Sequence, residues 1–395
     1  MRIQAELPII FVCGKPQFMS EYQYYEFQAI DRPLTEKDQS YIASLSRRVV
    51  LSPNCAIFTY SFGDFPEEPR SILKKYFDAM LYLANWGTKQ LAFRLPRSVV
   101  DPEMIEPYCF EDIISAHITK RYILLDICVD EEEGGFWVEG EGCLSSLALL
   151  RQDILRGDFR VLYLAWLKAI SLERDNKDDR EQLEPPIPAN LRSLSSPLKK
   201  FIELFDVDKD LIAAASELSP QNNNVVEQDV EELIVMLSEQ ERNDFLIKLA
   251  KGELNVDAQF IRRLRNLSSN KLKAGEGSIP RQRSVAELLA AADEKTNQRE
   301  ERQRQEAERA RIRRLTELGK KEPKVWDAVF TLIEKKQAKA YDEAIKLVAE
   351  LRELADYLGE PDRFKNRIND IYEQYRNRPG FISRLRQAKL LKQDL

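Results

Sequence analysis

The chain has 395 residues, 43% hydrophobic and 32% charged, with a formal net charge of −6. That is apolar material for two or three cores under a surface more charged than average. A single histidine, His117, and five scattered cysteines without a C-x-x-C spacing exclude imidazole triads, a zinc site and a disulfide framework.

The earliest apolar run, LPIIFVCG at residues 7–14, follows Glu6 and precedes no small-residue cleavage site. It is too short to span a bilayer and does not read as a signal peptide. A cytoplasmic protein with no membrane contact is the expectation. From Tyr22 to about Leu172 strand and helix patterns alternate. YYEFQAI, CAIFTYSF, KQLAFRLP and RYILLDICV read as strands, the last a central one because it is apolar on both faces. PLTEKDQSYIASLS reads as a helix with Thr35 as N-cap and Asp38 in the capping-box place. EPRSILKKYFDAMLYLANWG reads as one long helix, with Ile72, Leu73, Tyr76, Phe77, Met80 and Leu81 at helical spacing and Gly87 just past its end. GGFWVEGEG suggests a short edge strand, and CLSSLALLRQDIL and DFRVLYLAWLKAISL two further helices. The fold class is therefore an α/β or α+β N-terminal domain, residues 19–172, followed by all-α regions.

Residues 173–197 read as a charged, proline-rich linker, 198–267 as a small helical region of four short helices, and 268–283 as a second loop. Residues 284–319 read as one long charged helix. From Glu294 to Arg311 it carries almost no large apolar residue, so it is not a self-sufficient coiled coil. Residues 323–392 return to amphipathic helices joined at Gly359, a helical hairpin module. Charge is unevenly spread: residues 281–395 hold 27 Lys+Arg against 21 Asp+Glu, whereas residues 1–180 hold 21 against 28. A basic tail of this kind faces an acidic partner or the acidic front of its own chain.

Phosphate-binding glycine loops are missing from the sequence, and the acidic stretch DEEEGGFWVEGEG lacks the D-x-D-x-D-G spacing of a calcium loop. No metal and no cofactor is expected. Carboxylate-only acid–base chemistry survives these exclusions. Its candidates are Glu26, Asp31, Asp64, Asp78 and Asp126, with Arg32 or Arg94 to stabilise charge. The helical tail offers a different role. Trp326, Phe330, Tyr341, Phe364, Tyr372, Tyr375 and Phe381 are candidate partner-binding residues, because the tail spends many aromatic side chains on helices with little evident core. Nucleic acid is possible for the tail but not favoured: the stretch from Arg281 to Arg314 interleaves ten Lys+Arg with seven Asp+Glu, a poor footprint for phosphates.

The phrase YYEFQAIDRPLT, with GDF, KYFDAMLYLANWGTKQL, FRLPR and DEEEGG behind it, resembles a family of uncharacterised bacterial proteins over roughly Tyr22 to Pro220. The resemblance implies a start near Met19, leaving residues 1–18 as an extension outside the fold. The closing stretch from Lys336 is similar to the helical tail of that family and to the end of some proteins with a SWIM-type zinc finger. The finger's C-x-C…C-x-H pattern is absent from this sequence, so no zinc role carries over. The family implies no activity, substrate or catalytic residue. The reading preferred on sequence is a non-enzymatic interaction or adaptor protein that docks a protein partner through residues 281–395. The alternatives are a carboxylate-dependent, possibly hydrolytic enzyme in the N-terminal domain and, more weakly, a nucleic-acid accessory protein.

Overall fold

The computed structural model describes residues 22–131, 141–174, 182–220, 230–272 and 283–391. The expected extension at 1–18, most of the acidic stretch with its edge strand, and most of the loop 268–283 lie outside the described residues. The chain divides into two units, Met1–Lys295 and Thr296–Leu395. The boundary falls inside the long charged helix.

The first unit is built on a seven-stranded antiparallel sheet in the order β2-β3-β1-β4-β5-β7-β6. The strands are β1 (Gln23–Gln28), β2 (Val50–Leu51), β3 (Cys55–Tyr60), β4 (Ala79–Ala84), β5 (Thr88–Pro96), β6 (Ile114–Ile118) and β7 (Tyr122–Asp130). Period-two alternation sends Tyr24, Leu81, Phe93 and Leu125 to one face, and Tyr25, Phe27, Met80 and Ala92 to the other. Helices α1 (Glu36–Leu45) and α2 (Pro69–Tyr76) cover the second face with Ile42, Ile72, Leu73 and Tyr76. Thr35 does close a capping box on α1: its Oγ1 accepts from the Asp38 amide at 3.2 Å, and its own amide donates to Asp38 at 3.1 Å.

The long helix expected through residues 68–87 is corrected. It stops at Tyr76, and Ala79–Ala84 is a strand between β1 and β5. A run of apolar side chains meets helical spacing and two-faced burial equally well. Here all but Tyr82 of β4 are buried, and both faces of the strand pack against a core. Gly87 is accordingly not a helix cap. It turns the β4–β5 hairpin at φ +107°. As its two apolar faces lead one to expect, β7 is an interior strand, paired with β5 on one side and with β6 on the other.

The other sheet face carries the main core. It is covered by α3 (Pro102–Ile105), α4 (Leu144–Leu147), α5 (Leu149–Leu155) and α6 (Arg160–Leu172), and also by α7 (Ser196–Phe205) and α8 (Lys209–Leu218). Residues expected to form a free linker and a separate helical region thus belong to this core. Leu191, Phe201, Phe205 and Leu211 are buried in it, and Leu183 bridges to Ser284 in β fashion. Short helices of this length do not stand alone in water, so they take the nearest apolar surface. Helices α9 (Val230–Met236), α10 (Glu239–Ala250) and α11 (Val256–Leu272) share a satellite cluster around Leu233, Leu237 and Leu264. Helix α11 has no counterpart among the elements read from sequence. Helix α12 (Val285–Lys320) starts in the main core through Val285, Leu288, Leu289 and Ala292. From Asn297 to Arg314 every residue is exposed, as its lack of an apolar stripe requires.

The second unit closes its own core. After the end of α12 come α13 (Glu322–Glu334), α14 (Ala338–Leu358), α15 (Pro361–Tyr375) and α16 (Pro379–Gln387). Leu315, Trp326, Val329, Val348, Leu351, Ile368 and Phe381 meet at its centre. Gly359 ends α14 with φ +72°, the left-handed step that lets the chain reverse into α15.

Candidate functional site

Three of the candidate charges from sequence converge. Asp78 precedes β4, Arg94 lies two residues before the end of β5, and Asp31 follows β1, so the sheet register brings them to one end of the strands. A fourth group, Arg151 of α5, joins them. Arg94 donates from Nε and Nη2 to Asp78 Oδ1 at 3.2 and 2.7 Å. The amides of Ile30 and Asp31 donate to Asp78 Oδ2 at 2.8 and 2.9 Å. Arg151 forks onto Asp31 at 2.9 and 2.7 Å, donates from Nε to the Arg94 carbonyl at 2.9 Å, and passes 3.5 Å from Asp78. Tyr122 lies under the Arg94 guanidinium, 4.9 Å from ring centre to Cζ. Two acids and two bases cancel. Asp78 is 0% exposed and Arg151 1%.

Burial alone would raise the Asp78 carboxyl, but Arg151, Arg94 and the Asp31 amide outweigh it and hold the group below its ordinary value. An acid so held does not accept a proton near neutrality, and both its oxygens are already bonded. The arrangement ties three strand ends to α5; it is not laid out to receive a substrate. Arg32, beside it in sequence, is exposed.

The remaining candidates sit apart. Glu26 faces α4 from β1, accepting from Tyr24 Oη at 3.0 Å and the Leu144 amide at 3.4 Å. Burial raises its carboxyl despite these donors. Asp126 of β7 lies on the opposite sheet face. Gln90 reaches both its oxygens at 2.8 Å, and Arg70, half-exposed on α2, reaches Oδ2 at 2.7 Å. Burial again dominates and raises the group. Beside it burial pushes the Cys128 thiol up to about 12, so this cysteine stays protonated and unreactive. Asp64 is exposed on the loop after β3, 3.4 Å from the Gln23 side-chain nitrogen. His117 is exposed on the edge strand β6.

The aromatic side chains assigned to partner binding lie in or against the core of the second unit. Trp326, Phe364, Tyr375 and Phe381 are buried in the core of the second unit, and Phe330, Tyr341 and Tyr372 are half-buried against it. Phe364 lies 6.1 Å from Trp326, and Phe381 packs edge-on against Tyr375 at 6.5 Å. They hold the module together. Beside Trp326 a hollow of about 20 Å³, lined in part by Leu351, Leu354 and Phe364, has room for a single water. Among the described residues no group of three His, Cys, Asp or Glu side chains is placed to hold a metal ion, and no helix is long and apolar enough to cross a membrane.

What sequence reasoning missed is Arg151. The signal was present: one arginine inside the apolar run LALLRQDIL, on a helix whose other inward residues are Leu150, Ile154 and Leu155. A charge at such a position needs a buried partner. No family model, curated relative or solved structure matches this chain.

Proposed function

We propose that this chain is a non-enzymatic interaction protein, and that its second unit docks an acidic protein surface. The observation that carries this reading is the division of labour inside that unit. All its aromatics but the exposed Tyr357 pack in or against the core, and its composition is basic, with 24 Lys+Arg against 18 Asp+Glu from Thr296 onward. At the turn between α13 and α14, Lys335, Lys336 and Lys339 are all exposed, and none closes a salt bridge among the described residues. Neighbouring Arg378 and Arg384 are already neutralised by Glu334 and Asp342. Three ammonium groups on one turn form a local positive field that steers an acidic partner. The closed geometry around Asp78 supports the same reading, since the acids that would serve an enzyme are bonded to structural donors.

The test uses the full chain with polyglutamate and duplex DNA as probes. Binding to polyglutamate is expected at low salt, weakening as the Debye length shrinks. It falls at least several-fold in the variant Lys335→Gln, Lys336→Gln, Lys339→Gln. No retention of polyglutamate at low salt overturns the proposal. Duplex DNA bound more tightly than polyglutamate, with the steep logarithmic salt slope of phosphate neutralisation, replaces it with the nucleic-acid reading.

A further inference from the structure

Helix α10 carries an apolar stripe that the fold does not bury. None of its residues is buried, yet Leu246 is 62% exposed, Ile247 49% and Leu249 57%. The helix is nonetheless well fixed. Ser238 and Glu241 close a capping box at its start, Glu241 pairs with Arg263 of α11 at 2.9 Å, and Phe245 packs edge-on against Phe260 at 5.1 Å. These contacts pin one side to α11. Helical spacing places Asn243, Leu246, Ile247 and Ala250 on the opposite side, facing outward, and all four are exposed. Exposed apolar stripes on a fixed helix mark contact surfaces.

We propose that this stripe packs antiparallel against α10 of a second copy of the same chain. The charge layout selects that occupant. Asp244 and Lys251 are exposed, lie seven residues and so two turns apart on one flank of the stripe, and close no salt bridge among the described residues. A two-fold axis between Ile247 and Lys248 sets Asp244 opposite Lys251 of the second copy, and Lys251 opposite its Asp244. The helix is thus complementary to itself in one orientation, the condition for an isologous contact. Twelve residues span about 18 Å, shorter than a standard interface requires, so association in the micromolar range is expected.

Sedimentation equilibrium of the full chain tests this. The wild type is expected to dimerise reversibly, and Ile247→Glu to remain monomeric with unchanged circular dichroism and melting temperature, because the position is exposed. Asp244→Lys and Lys251→Asp, each alone, oppose like charges twice and weaken the dimer about tenfold. Mixing these two variants restores association near the wild-type level, as a heterodimer in which every pair is again opposite in sign. A wild type monomeric throughout the micromolar range overturns the proposal. So does a dimer that neither Ile247→Glu nor the single reversals weaken.

Discussion

At Asp78 four hydrogen-bond donors from three residues reach one buried carboxylate, whereas at Asp126 a carboxylate equally hidden from water leans on an amide and a half-exposed guanidinium. The two therefore respond to pH with opposite sign. Asp78 is held below the unfolded value of about 3.9, so its stabilising contribution is complete above that value and is lost as pH falls through the folded-state pKa. Asp126 is raised, so the folded state binds its proton more readily, and stability falls as pH climbs from the unfolded value through the folded one. Asp78→Asn strands Arg94 and weakens the hold on Arg151, and at neutral pH it is expected to cost about 3–5 kcal/mol. Asp126→Asn removes a charge the fold barely supports, and is expected to stay within about 1 kcal/mol of the wild type. Urea titrations at neutral pH distinguish the two. Sequence named Asp31, Asp78 and Arg94 by type, but it could not pair them with Arg151, which lies 120 residues beyond Asp31. Contacts of that separation follow from sheet register and helix docking, and no local pattern encodes them.

Among the elements, legibility followed the strength of the local period. The α1 capping box and the strands β1, β3 and β5 are legible because caps, alternation and Pro96 are local signals. The run that forms β4 reads as helix because its apolar side chains satisfy both periods, and only its neighbours β1 and β5 decide between them. Gly87 belongs to the same misreading and now has a sharper role. A Cβ built there falls 1.8 Å from the Glu131 carbonyl oxygen, at a φ of +107°. Gly63, with φ +86°, has nothing within 4 Å. Both alanine variants face the cost of a positive φ, about 1–2 kcal/mol, but Gly87→Ala must also displace backbone at the β4–β5 turn. The expectation is that Gly87→Ala lowers the denaturant midpoint clearly more than Gly63→Ala does. Equal shifts would mean that the hairpin relaxes away from Glu131 without cost.

On the scale of the whole molecule the chain divides by cores, and composition does not report cores. The linker-like stretch before α7 looked like a boundary from its prolines and charges, yet the helices after it complete the main core. The division instead falls within α12, where a continuous helix passes from a buried first part through an exposed polar stretch to Leu315. Backbone hydrogen bonds carry a helix through such a stretch without side-chain packing, so no break in pattern marks the boundary. Each unit closes a core of its own, and a single two-state transition is not expected of two separate cores. Calorimetry of the full chain should resolve two transitions. Trp326→Ala removes the largest side chain from the core of the second unit, where Arg367 also covers its ring at 5.0 Å. It is expected to cost that unit about 3–5 kcal/mol and to lower one transition while leaving the other in place. If both transitions move together, the exposed stretch of α12 couples the two cores far more strongly than its side chains suggest.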